Sequence, residues 1–369
     1  IMCTVVIGKA AGFPKGFSMR SYSRWWASSA IIRSLLAAFL LAAACSGSIP
    51  HRALAGEAAA PLFLGDLLNS QYISAGGNHT CGVKDNGSIF CWGANAHGQI
   101  SVPASTFFVN NDFIQVSSGA SHTCGVRDDY SITCWGNNDQ GQIDVPSPNA
   151  GYRQVSAGSY HTCARKVDGS ITCWGDDTAG QSSVPGPNTG FTSVSAGGHH
   201  TCGRKSDGTF VCWGDDTDGQ LGTAITNSDF RQIAAGGTHT CGLKTDRSLE
   251  CWGNNASGQI TLPSPNTQFM GLSAGGSHTC GLKGDGSIVC WGSDGSGEST
   301  VPTPNSAFAQ VSAGNGHTCG IKTDGQVVCW GSNTFYESDP FADDFDRLST
   351  GDGFTCGLRY AESVFCWGN

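Results

Sequence analysis

Cysteine is the residue type with the most regular spacing in this chain, and its chemistry would be disulfide formation or zinc binding. Sixteen of the eighteen cysteines form eight pairs, and the two members of each pair are ten residues apart. The first members are Cys81, Cys124, Cys163, Cys202, Cys241, Cys280, Cys319 and Cys356. The second members are Cys91, Cys134, Cys173, Cys212, Cys251, Cys290, Cys329 and Cys366. A structural zinc site needs four ligands and each pair supplies two, so the spacing favours one disulfide per pair.

Each cysteine pair flanks a turn, as the copy with Cys280 and Cys290 illustrates. Strand-forming residues on both sides of a Gly-Asp-Gly turn predict a β-hairpin. A three-residue loop with Gly286 in the left-handed conformation places Leu282 opposite Ile288 and the cysteines opposite each other, with Cα atoms about 4.5 Å apart. The turn glycine is replaced in three copies, by Tyr130, Arg247 and Glu362. Because these copies keep the spacing of ten, we expect the same register in all eight.

A histidine lies two residues before the first cysteine in seven copies, and imidazoles repeated in a ring could bind a metal ion. These residues are His79, His122, His161, His200, His239, His278 and His317, and the eighth copy has Phe354. Equivalent positions in a circular array lie far apart, whereas the ligands of a metal ion lie about 2 Å from it. We therefore expect each histidine to hydrogen-bond the backbone of a neighbouring repeat, and we expect no metal and no cofactor.

Acidic turns suggest a second kind of metal site, for calcium. Residues 215–219 read Asp-Asp-Thr-Asp-Gly, and Asp176 and Asp177 form a similar pair. The first turn lacks the leading aspartate of the alternating calcium-loop pattern. We interpret both as solvated turns.

The elements that position these residues form a repeat. Successive first cysteines lie 43, 39, 39, 39, 39, 39 and 37 residues apart, a period that indicates a repeat architecture. Each unit contains an apolar first strand, the cysteine hairpin, a Trp-Gly pair, a polar turn and a connector. The tryptophans, which we expect to pack between units, are Trp92, Trp135, Trp174, Trp213, Trp252, Trp291, Trp330 and Trp367. Short strands and glycine-rich turns of this kind predict an all-β propeller with four-stranded blades.

The consensus Ala-Gly-x-x-His-Thr-Cys, followed by Asp-Gly, Cys-Trp-Gly and then Gly-Gln, resembles the repeat of the regulator of chromosome condensation family, in a cysteine-paired, exported bacterial form. The resemblance covers residues 72–369 and implies a β-propeller, usually with seven blades. This chain has eight copies, so we expect seven or eight four-stranded blades with one disulfide per blade. The last copy stops before its Gly-Gln segment, and residues 62–68 are a candidate for a strand that closes the ring.

Residues 1–55 differ in composition from the rest of the chain. They contain six basic residues and no acidic one, and an apolar run occupies residues 35–44. A basic segment, a short apolar segment and Ala-Leu-Ala at 53–55 predict a secretory signal peptide, with a start at Met19. The apolar run is too short for a membrane-spanning helix.

Processing of this segment has more than one candidate site. Cleavage could follow Ala55 or Ala44, or lipid could be attached at Cys45, because the residues before it resemble the lipobox of bacterial lipoproteins. Residues 56–71 would then form a linker before the repeats. Export and paired cysteines both predict an oxidising compartment, so we expect a secreted, periplasmic or cell-surface protein.

The charge of the chain limits its partners. Six of its twenty basic residues lie in 1–55, which leaves fourteen against 29 acidic residues. An acidic surface repels phosphate backbones, so we expect no nucleic-acid partner. Membrane contact is expected only through a lipid anchor at Cys45. We expect a monomer that binds another protein.

Departures from the repeat are candidates for the partner site, because the scaffold does not require them. The lengthened first connector contains Phe107 and Phe108. The seventh copy has Tyr336-Glu337 in place of Gly-Gln, with Phe335 directly before this pair and Phe341 after it. Aromatic residues on loops often belong to interaction sites. An alternative is that they cover the seam where the ring closes.

These features predict a protein-binding scaffold with no catalytic residues, acting as an enzyme inhibitor or as an envelope interaction module. The alternative is a hydrolase or lyase for a cell-envelope polysaccharide, with its site at the mouth of the propeller. The sequence has no Ser-His-Asp order, metal-binding glutamate motif or phosphate-binding loop, although propeller sites gather residues from several blades. A pair of carboxylates with raised pKa at the channel would favour the enzyme.

Overall fold

The computed structural model describes residues 73–103, 112–223, 227–341, 343–359 and 363–368. Within these ranges the chain forms twenty-four β-strands and no helix. The strands make eight antiparallel sheets of three consecutive strands, in which the middle strand is bonded to both others. Nowhere in this part of the chain is there a helix with the length and hydropathy needed to cross a bilayer.

The strand bounds follow the repeat. The first four sheets are β1 (Ile73–Ala75), β2 (His79–Val83) and β3 (Ile89–Gly93); β4 (Phe113–Ser118), β5 (His122–Arg127) and β6 (Ile132–Gly136); β7 (Tyr152–Ala157), β8 (His161–Lys166) and β9 (Ile171–Gly175); and β10 (Phe191–Ala196), β11 (His200–Lys205) and β12 (Phe210–Gly214). The last four are β13 (Phe230–Ala235), β14 (His239–Lys244) and β15 (Leu249–Gly253); β16 (Phe269–Ala274), β17 (His278–Lys283) and β18 (Ile288–Gly292); β19 (Phe308–Ala313), β20 (His317–Lys322) and β21 (Val327–Gly331); and β22 (Arg347–Thr350), β23 (Phe354–Leu358) and β24 (Val364–Gly368).

The predicted hairpin register is confirmed. In the sixth sheet Leu282 pairs with Ile288 and Cys280 with Cys290, and the corresponding cysteines pair in all eight sheets. Each pair forms a disulfide, with Cα atoms 4.0–4.1 Å apart. Gly286 has the expected positive φ of 79°. One disulfide per repeat therefore closes each hairpin.

The substituted turns keep the same geometry. Tyr130 and Arg247 have φ angles of 66° and 69°, in the left-handed region that favours glycine. Glu362, the third substitution, lies outside the described residues. The cysteine register is thus maintained in these copies at the expense of backbone strain in the turn.

The hydrophobic core lies between neighbouring sheets. Leu243 and Leu249 of the fifth sheet pack with Phe269, Leu272 and Trp291 of the sixth, and equivalent clusters recur around the chain. Burial of one such side chain stabilises a fold by about 1.5–3 kcal/mol. Each sheet therefore depends on its neighbours for its apolar contacts, as in other repeat proteins.

The eight sheets are the blades of a closed ring, which decides between seven and eight blades in favour of eight. The first strands of the eighth and first blades are in contact. The backbone N–H of Ala75 donates to Ser349 Oγ at 3.0 Å, and that of Asp352 donates to the Gly77 carbonyl at 3.3 Å. The prediction of an all-β propeller is confirmed.

The blades have three strands rather than the predicted four in the described residues. The Gly-Gln segment forms a turn, in which side chains take the place of ladder hydrogen bonds. Gln259 donates its side-chain N–H to Asn254 at 2.9 Å, and Asn255 accepts from the backbone N–H of Ile260 at 3.2 Å. Because these bonds stay within the segment, it does not pair with the third strand of its blade.

Small residues surround the axis because the blades approach closely there. A Cβ at Gly236 would lie 2.7 Å from the carbonyl oxygen of Gly275 in the next blade and 2.5 Å from its own blade's His239 ring. The Ala-Gly ending of the first strand is therefore a requirement of ring packing. The turns after it line an axial opening of about 260 Å³.

Candidate functional site

The seven histidines lie at blade interfaces and are completely buried. The Nε2 atom of each lies 2.7–2.9 Å from a threonine hydroxyl of the next blade, as His200 does from Thr240 at 2.8 Å. The predicted interblade contact is present, but its partner is a side-chain hydroxyl instead of the predicted backbone group. The interface has a threonine at this position in every blade, which places an oxygen where a backbone group cannot reach.

The hydrogen bonds of the threonine determine the histidine tautomer. The Thr240 hydroxyl donates its one proton to the Gln220 carbonyl at 3.0 Å, so it must accept from Nε2–H of His200. Nδ1 is then unprotonated, and it has no hydrogen-bond partner. The same carbonyl accepts from Trp252 Nε1 at 2.9 Å.

The histidines are neutral structural groups. Desolvation by burial lowers the pKa of His200 to about 4, and the other six have pKa values of about 3 to 4 for the same main reason. A methyl carbon at Gly197 would lie only 3.0 Å from His200 Nδ1, so this position has to be glycine for the imidazole to fit. The described residues contain no group of three potential metal ligands.

The tryptophans are also interface residues, as expected. Apart from Trp92, which is half-buried, they are buried between blades. Five of them donate Nε1–H to the carbonyl of the preceding blade's polar turn, at 2.9–3.0 Å. Packing and this hydrogen bond account for the recurrence of tryptophan.

The two ends of the blades form two faces of the ring. The third strand ends beside the start of the second, as the pairing of Gly253 with His239 shows. The turns between first and second strands and the turns after the Trp-Gly pairs therefore share one end of each blade. We call the surface they form the acidic face. The opposite surface, formed by the cysteine hairpins, is the hairpin face.

Charge is strongly segregated between these faces. In the described residues the acidic face has twelve carboxylates and no lysine or arginine. They are Asp139, Asp144, Asp176, Asp177, Asp215, Asp216, Asp218, Asp294, Glu298, Glu337, Asp339 and Asp352. All fourteen lysines and arginines of the described residues lie on the hairpin face, together with fourteen carboxylates. The hairpin end is therefore formally neutral, and the net negative charge lies on the acidic face.

Some of these carboxylates organise their own turns. Asp215 accepts from the backbone N–H of Thr217 at 3.1 Å and from Gln220 Nε2 at 2.8 Å. Desolvation alone would raise the pKa of Asp215, but these hydrogen bonds outweigh it and the pKa lies below its usual value. In this acidic turn the Asp215 carboxylate is thus held by N–H donors. Asp218 and Asp339, by contrast, are exposed and accept no hydrogen bond from the described residues.

The aromatic candidates for partner binding fall in different places. Phe335 and Tyr336 lie on the acidic face in the seventh blade, where they are 48% and 70% exposed. Phe341 packs edge-on against Phe365 and Trp367, with ring centroids 6.2 Å and 6.0 Å away. Phe341 thus covers the eighth blade and is not grouped with the other two. Phe107 and Phe108 lie outside the described residues.

Tyr160 is an exposed aromatic residue that the sequence analysis did not single out. It lies on the acidic face of the third blade, 43% exposed, beside the His199 ring at 6.2 Å. It directly precedes the repeat histidine His161, at a position where other copies have small or polar residues. The charge segregation was missed as well, although no lysine or arginine occurs between any Trp-Gly pair and the next first strand.

The axial opening contains one carboxylate among its described lining residues, Asp352. Its side chain keeps contact with solvent, but the blades around it raise its pKa by desolvation. Its neighbour in the ring is the neutral Asn315. Glycosidases use two carboxyl groups about 5 to 10 Å apart. The described lining does not provide that arrangement.

Comparison with known families gives one clear match. Seven segments match the family model for the regulator of chromosome condensation (RCC1) repeat, and together they cover more than half of the chain. They are residues 71–99, 113–142, 152–181, 191–220, 230–259, 271–298 and 308–337. No curated protein sequence matches the chain.

Solved structures with a similar fold include two plant receptor ectodomains and a yeast protein. The CRINKLY WD40 ectodomain of the Arabidopsis thaliana receptor kinase ACR4 is 31% identical, with a TM-score of 0.55 over 71% of this chain and 97% of that one. The ectodomain of the Physcomitrella patens receptor kinase CR4 is 27% identical, with a TM-score of 0.57 over 71% and 73%. Yeast RCC1 (Prp20), solved with Kap60, is 16% identical, with a TM-score of 0.58 over 88% and 97%, which is a likeness of fold alone.

Proposed function

The chain belongs to the regulator of chromosome condensation (RCC1) repeat family, and we propose that it is an exported scaffold whose acidic face binds a basic protein. An enzyme inhibitor or a module that binds a cell-envelope protein would both act in this way. Family membership supports the scaffold, but a propeller fold serves many functions, so the choice of partner rests on the chemistry of the surface.

The observation that carries the proposal is the charge segregation. The fold itself tolerates lysine and arginine, because the hairpin face of the same blades carries equal numbers of cations and carboxylates. The lack of cations on the acidic face is therefore not a requirement of the scaffold. A surface with charge of one sign attracts an oppositely charged partner over about one Debye length, roughly 8–10 Å, and speeds association. Such a surface also repels acidic proteins and so contributes specificity. The partner that it fits is a protein with a lysine- or arginine-rich surface.

Phe335 and Tyr336 are the residues that we expect at the centre of the contact. Large aromatic side chains dominate the binding energy of many protein interfaces. The turn that carries them is held in place, because the backbone N–H of Phe335 donates to the Glu337 carboxylate at 2.6 Å. The Phe335 ring also lies close to Gly353 of the eighth blade, where a Cβ would be 3.2 Å away. A rigid turn loses little conformational entropy on binding, which favours affinity.

The compartment is part of the proposal. Eight disulfides indicate an oxidising environment. The two plant relatives are parts of receptors named as ectodomains, which supports an extracellular location by analogy. The predicted signal peptide and Cys45 lie outside the described residues, and export with or without a lipid anchor remains our hypothesis. No specific observation favours the hydrolase or lyase alternative.

The test compares two charge-reversal variants of the exported, disulfide-bonded protein. Asp218→Lys with Asp339→Lys changes the acidic face, and Asp85→Lys with Asp128→Lys makes the same change in formal charge on the hairpin face. All four side chains are exposed and accept no hydrogen bond from the described residues, so folding should be preserved. Each protein is immobilised and exposed to the secreted and envelope fractions of the source organism, and bound proteins are eluted with increasing salt.

We expect a basic protein that is eluted by salt and whose retention falls about tenfold with the acidic-face variant and not with the hairpin-face variant. Replacing both Phe335 and Tyr336 by alanine should also reduce retention, without changing its dependence on salt. Equal retention by both charge variants would contradict the proposal. Retention of polysaccharide in place of protein would support the alternative function.

A further inference from the structure

Seven blade interfaces are completed by a backbone carbonyl from the polar turn of the preceding blade. At each of them a threonine hydroxyl donates to that carbonyl, at 3.0–3.4 Å. At five, a tryptophan donates to the same oxygen. Thr240 and Trp252, which share the Gln220 carbonyl, are a representative pair. A complete blade interface therefore contains a threonine donor and a carbonyl acceptor from the preceding blade.

The eighth interface, between the last blade and the first, lacks this carbonyl in the described residues. Thr80 occupies the threonine position, and its buried hydroxyl has no hydrogen-bond partner. Trp92, in the tryptophan position, is half-buried where its counterparts are buried. Phe354 stands in place of the histidine, so no imidazole reaches Thr80 either. The threonine and tryptophan donors are therefore both present at this interface, and the described residues offer them no acceptor.

A cavity of about 100 Å³ lies at this interface, and we call it the seam cleft. Thr80, Trp92, Phe354 and Trp367 are among the residues that line it. Burying an unpaired hydroxyl costs about 1–3 kcal/mol, so the cleft is destabilising when it is empty. A backbone carbonyl would accept hydrogen bonds from the two donors. An apolar side chain close to it would pack against the aromatic rings that line the cleft.

We propose that residues 60–68 of this chain bind in the seam cleft, with a backbone carbonyl accepting hydrogen bonds from Thr80 Oγ1 and Trp92 Nε1. The proposal extends the expectation of a ring-closing segment to a definite site and a definite contact. It is independent of the proposed partner on the acidic face. The occupant would stand where the polar turn of a preceding blade stands at the other interfaces.

The distance along the chain supports this occupant. In five repeats the residue that supplies the carbonyl comes ten residues before the first residue of the next strand, as Gln220 comes before Phe230. The pairing of Ile73 with Gly82 matches that of Ile233 with Gly242, which makes Ser70 the counterpart of Phe230. Ten residues before Ser70 is Ala60. The spacing of eight between Glu337 and Phe345 would give Leu62 instead.

The apolar pattern also agrees. Three residues after the carbonyl, five of the seven connectors have valine or leucine packed on the interface core, as Leu262 follows Gln259, and the other two have Thr223 and Pro340. Three residues after Ala60 is Phe63. The segment therefore offers an apolar side chain at the position where five of the seven connectors have valine or leucine. Its neighbours Leu62 and Leu64 add apolar surface next to the exposed rings of the cleft.

Photo-cross-linking in the whole exported protein tests the proposal directly. A benzoyl-phenylalanine at position 63 should form an intramolecular cross-link to a peptide containing Trp92 or Trp367, with a yield that does not depend on protein concentration. The same group at the exposed position of Val167 serves as the control and should not reach those peptides. A product found only in dimers would show that a second copy occupies the cleft, and no product there would show that the segment does not bind. Either result overturns the proposal.

A pair of threonine variants gives a second, independent answer. With the segment bound, Thr80→Val removes a hydrogen bond, and Tm should fall by about 2 °C. With the cleft empty, the same change removes an unpartnered hydroxyl, and Tm should stay the same or rise. Thr240→Val, at a complete interface, is the matched control and should lower Tm. An unchanged or raised Tm for Thr80→Val beside a lowered Tm for Thr240→Val would contradict the proposal.

Discussion

The seven interface histidines should make the fold strongly sensitive to acid. Burial lowers the pKa of His239 from 6.5 to about 4, and the others behave alike. In the unfolded chain each imidazole regains its ordinary pKa and takes up a proton first as the pH falls. The contribution of these residues to stability is therefore complete above pH 6.5 and is lost progressively down to about pH 4.

The magnitude follows from the pKa difference. One pKa unit corresponds to 1.36 kcal/mol, so each histidine costs about 3 kcal/mol over the whole range and about 2 kcal/mol at pH 5. Seven such residues together cost on the order of 10–15 kcal/mol at pH 5, which equals the total stability of a typical domain. The hairpin aspartates, such as Asp207, have pKa values lowered mainly by hydrogen bonds from the side chain and backbone of residues like Thr209. Because these pKa values lie below the ordinary aspartate value of about 4, their contribution is lost at lower pH than that of the histidines.

Urea unfolding between pH 7.5 and pH 5, followed by circular dichroism and fluorescence, measures this dependence. The slope of the unfolding free energy against pH gives the number of protons taken up on unfolding. We expect about six protons near pH 5 for the natural sequence. His239→Phe should reduce that number by one, because it removes one of the seven imidazoles. The position should accept phenylalanine, since the eighth blade has Phe354 there. Leu243→Ala is the control, since it removes apolar packing between the same two blades and no titratable group, so it should lower stability and leave the slope unchanged.

A stability that is constant between pH 6.5 and pH 5 would refute the reasoning. So would a proton number that His239→Phe leaves unchanged. A single cooperative transition is expected while the disulfides are intact. If the blades unfold separately, the proton count must be made for each transition.

Three further changes have definite expected effects. Gly236→Ala places a methyl against the next blade and should cost about 1–3 kcal/mol in urea unfolding, whereas Gly295→Ala, with open space around it, should change little. Replacing both Cys241 and Cys251 by alanine should cost about 2–3 kcal/mol, and no loss would mean that the interfaces already fix the hairpin. Arg247→Gly relieves a positive φ and should raise stability by about 1 kcal/mol, and a lower midpoint would contradict the strain.

The hairpins could be predicted from the sequence because their determinants are local. The register of Cys280 with Cys290 depends on the turn length and on a glycine that accepts a positive φ, and both are visible in ten consecutive residues. Spacing alone extended this result to Tyr130 and Arg247, whose turns keep the same geometry. The number of repeats was equally readable. The number of blades was not, since it depends on contacts between the two ends of the ring.

The interface contacts could not be predicted because they join residues about forty positions apart. The partner of His200 is Thr240, and a threonine in each copy gives no sign of which blade its neighbour belongs to. A fourth strand was expected because short strands and glycine-rich turns are typical of four-stranded propeller blades. Asn254 and Asn255 instead hydrogen-bond within the segment and close it into a turn. Local side-chain hydrogen bonds prevailed over strand pairing there.

Contacts with aromatic rings account for the lysines on the hairpin face, but the fold does not account for the lack of lysine on the acidic face. Lys244 lies over the ring of Phe230 at 5.2 Å, and lysines stand over aromatic rings at the same position of other blades. This contact holds cations at the hairpin end. It does not explain why the other end has none in the described residues, because the side chains of Asp218 and Asp339 are exposed and accept no hydrogen bond from those residues. Lysine at those positions would cost the fold little, so the uniform negative charge is best explained by a partner that the acidic face binds.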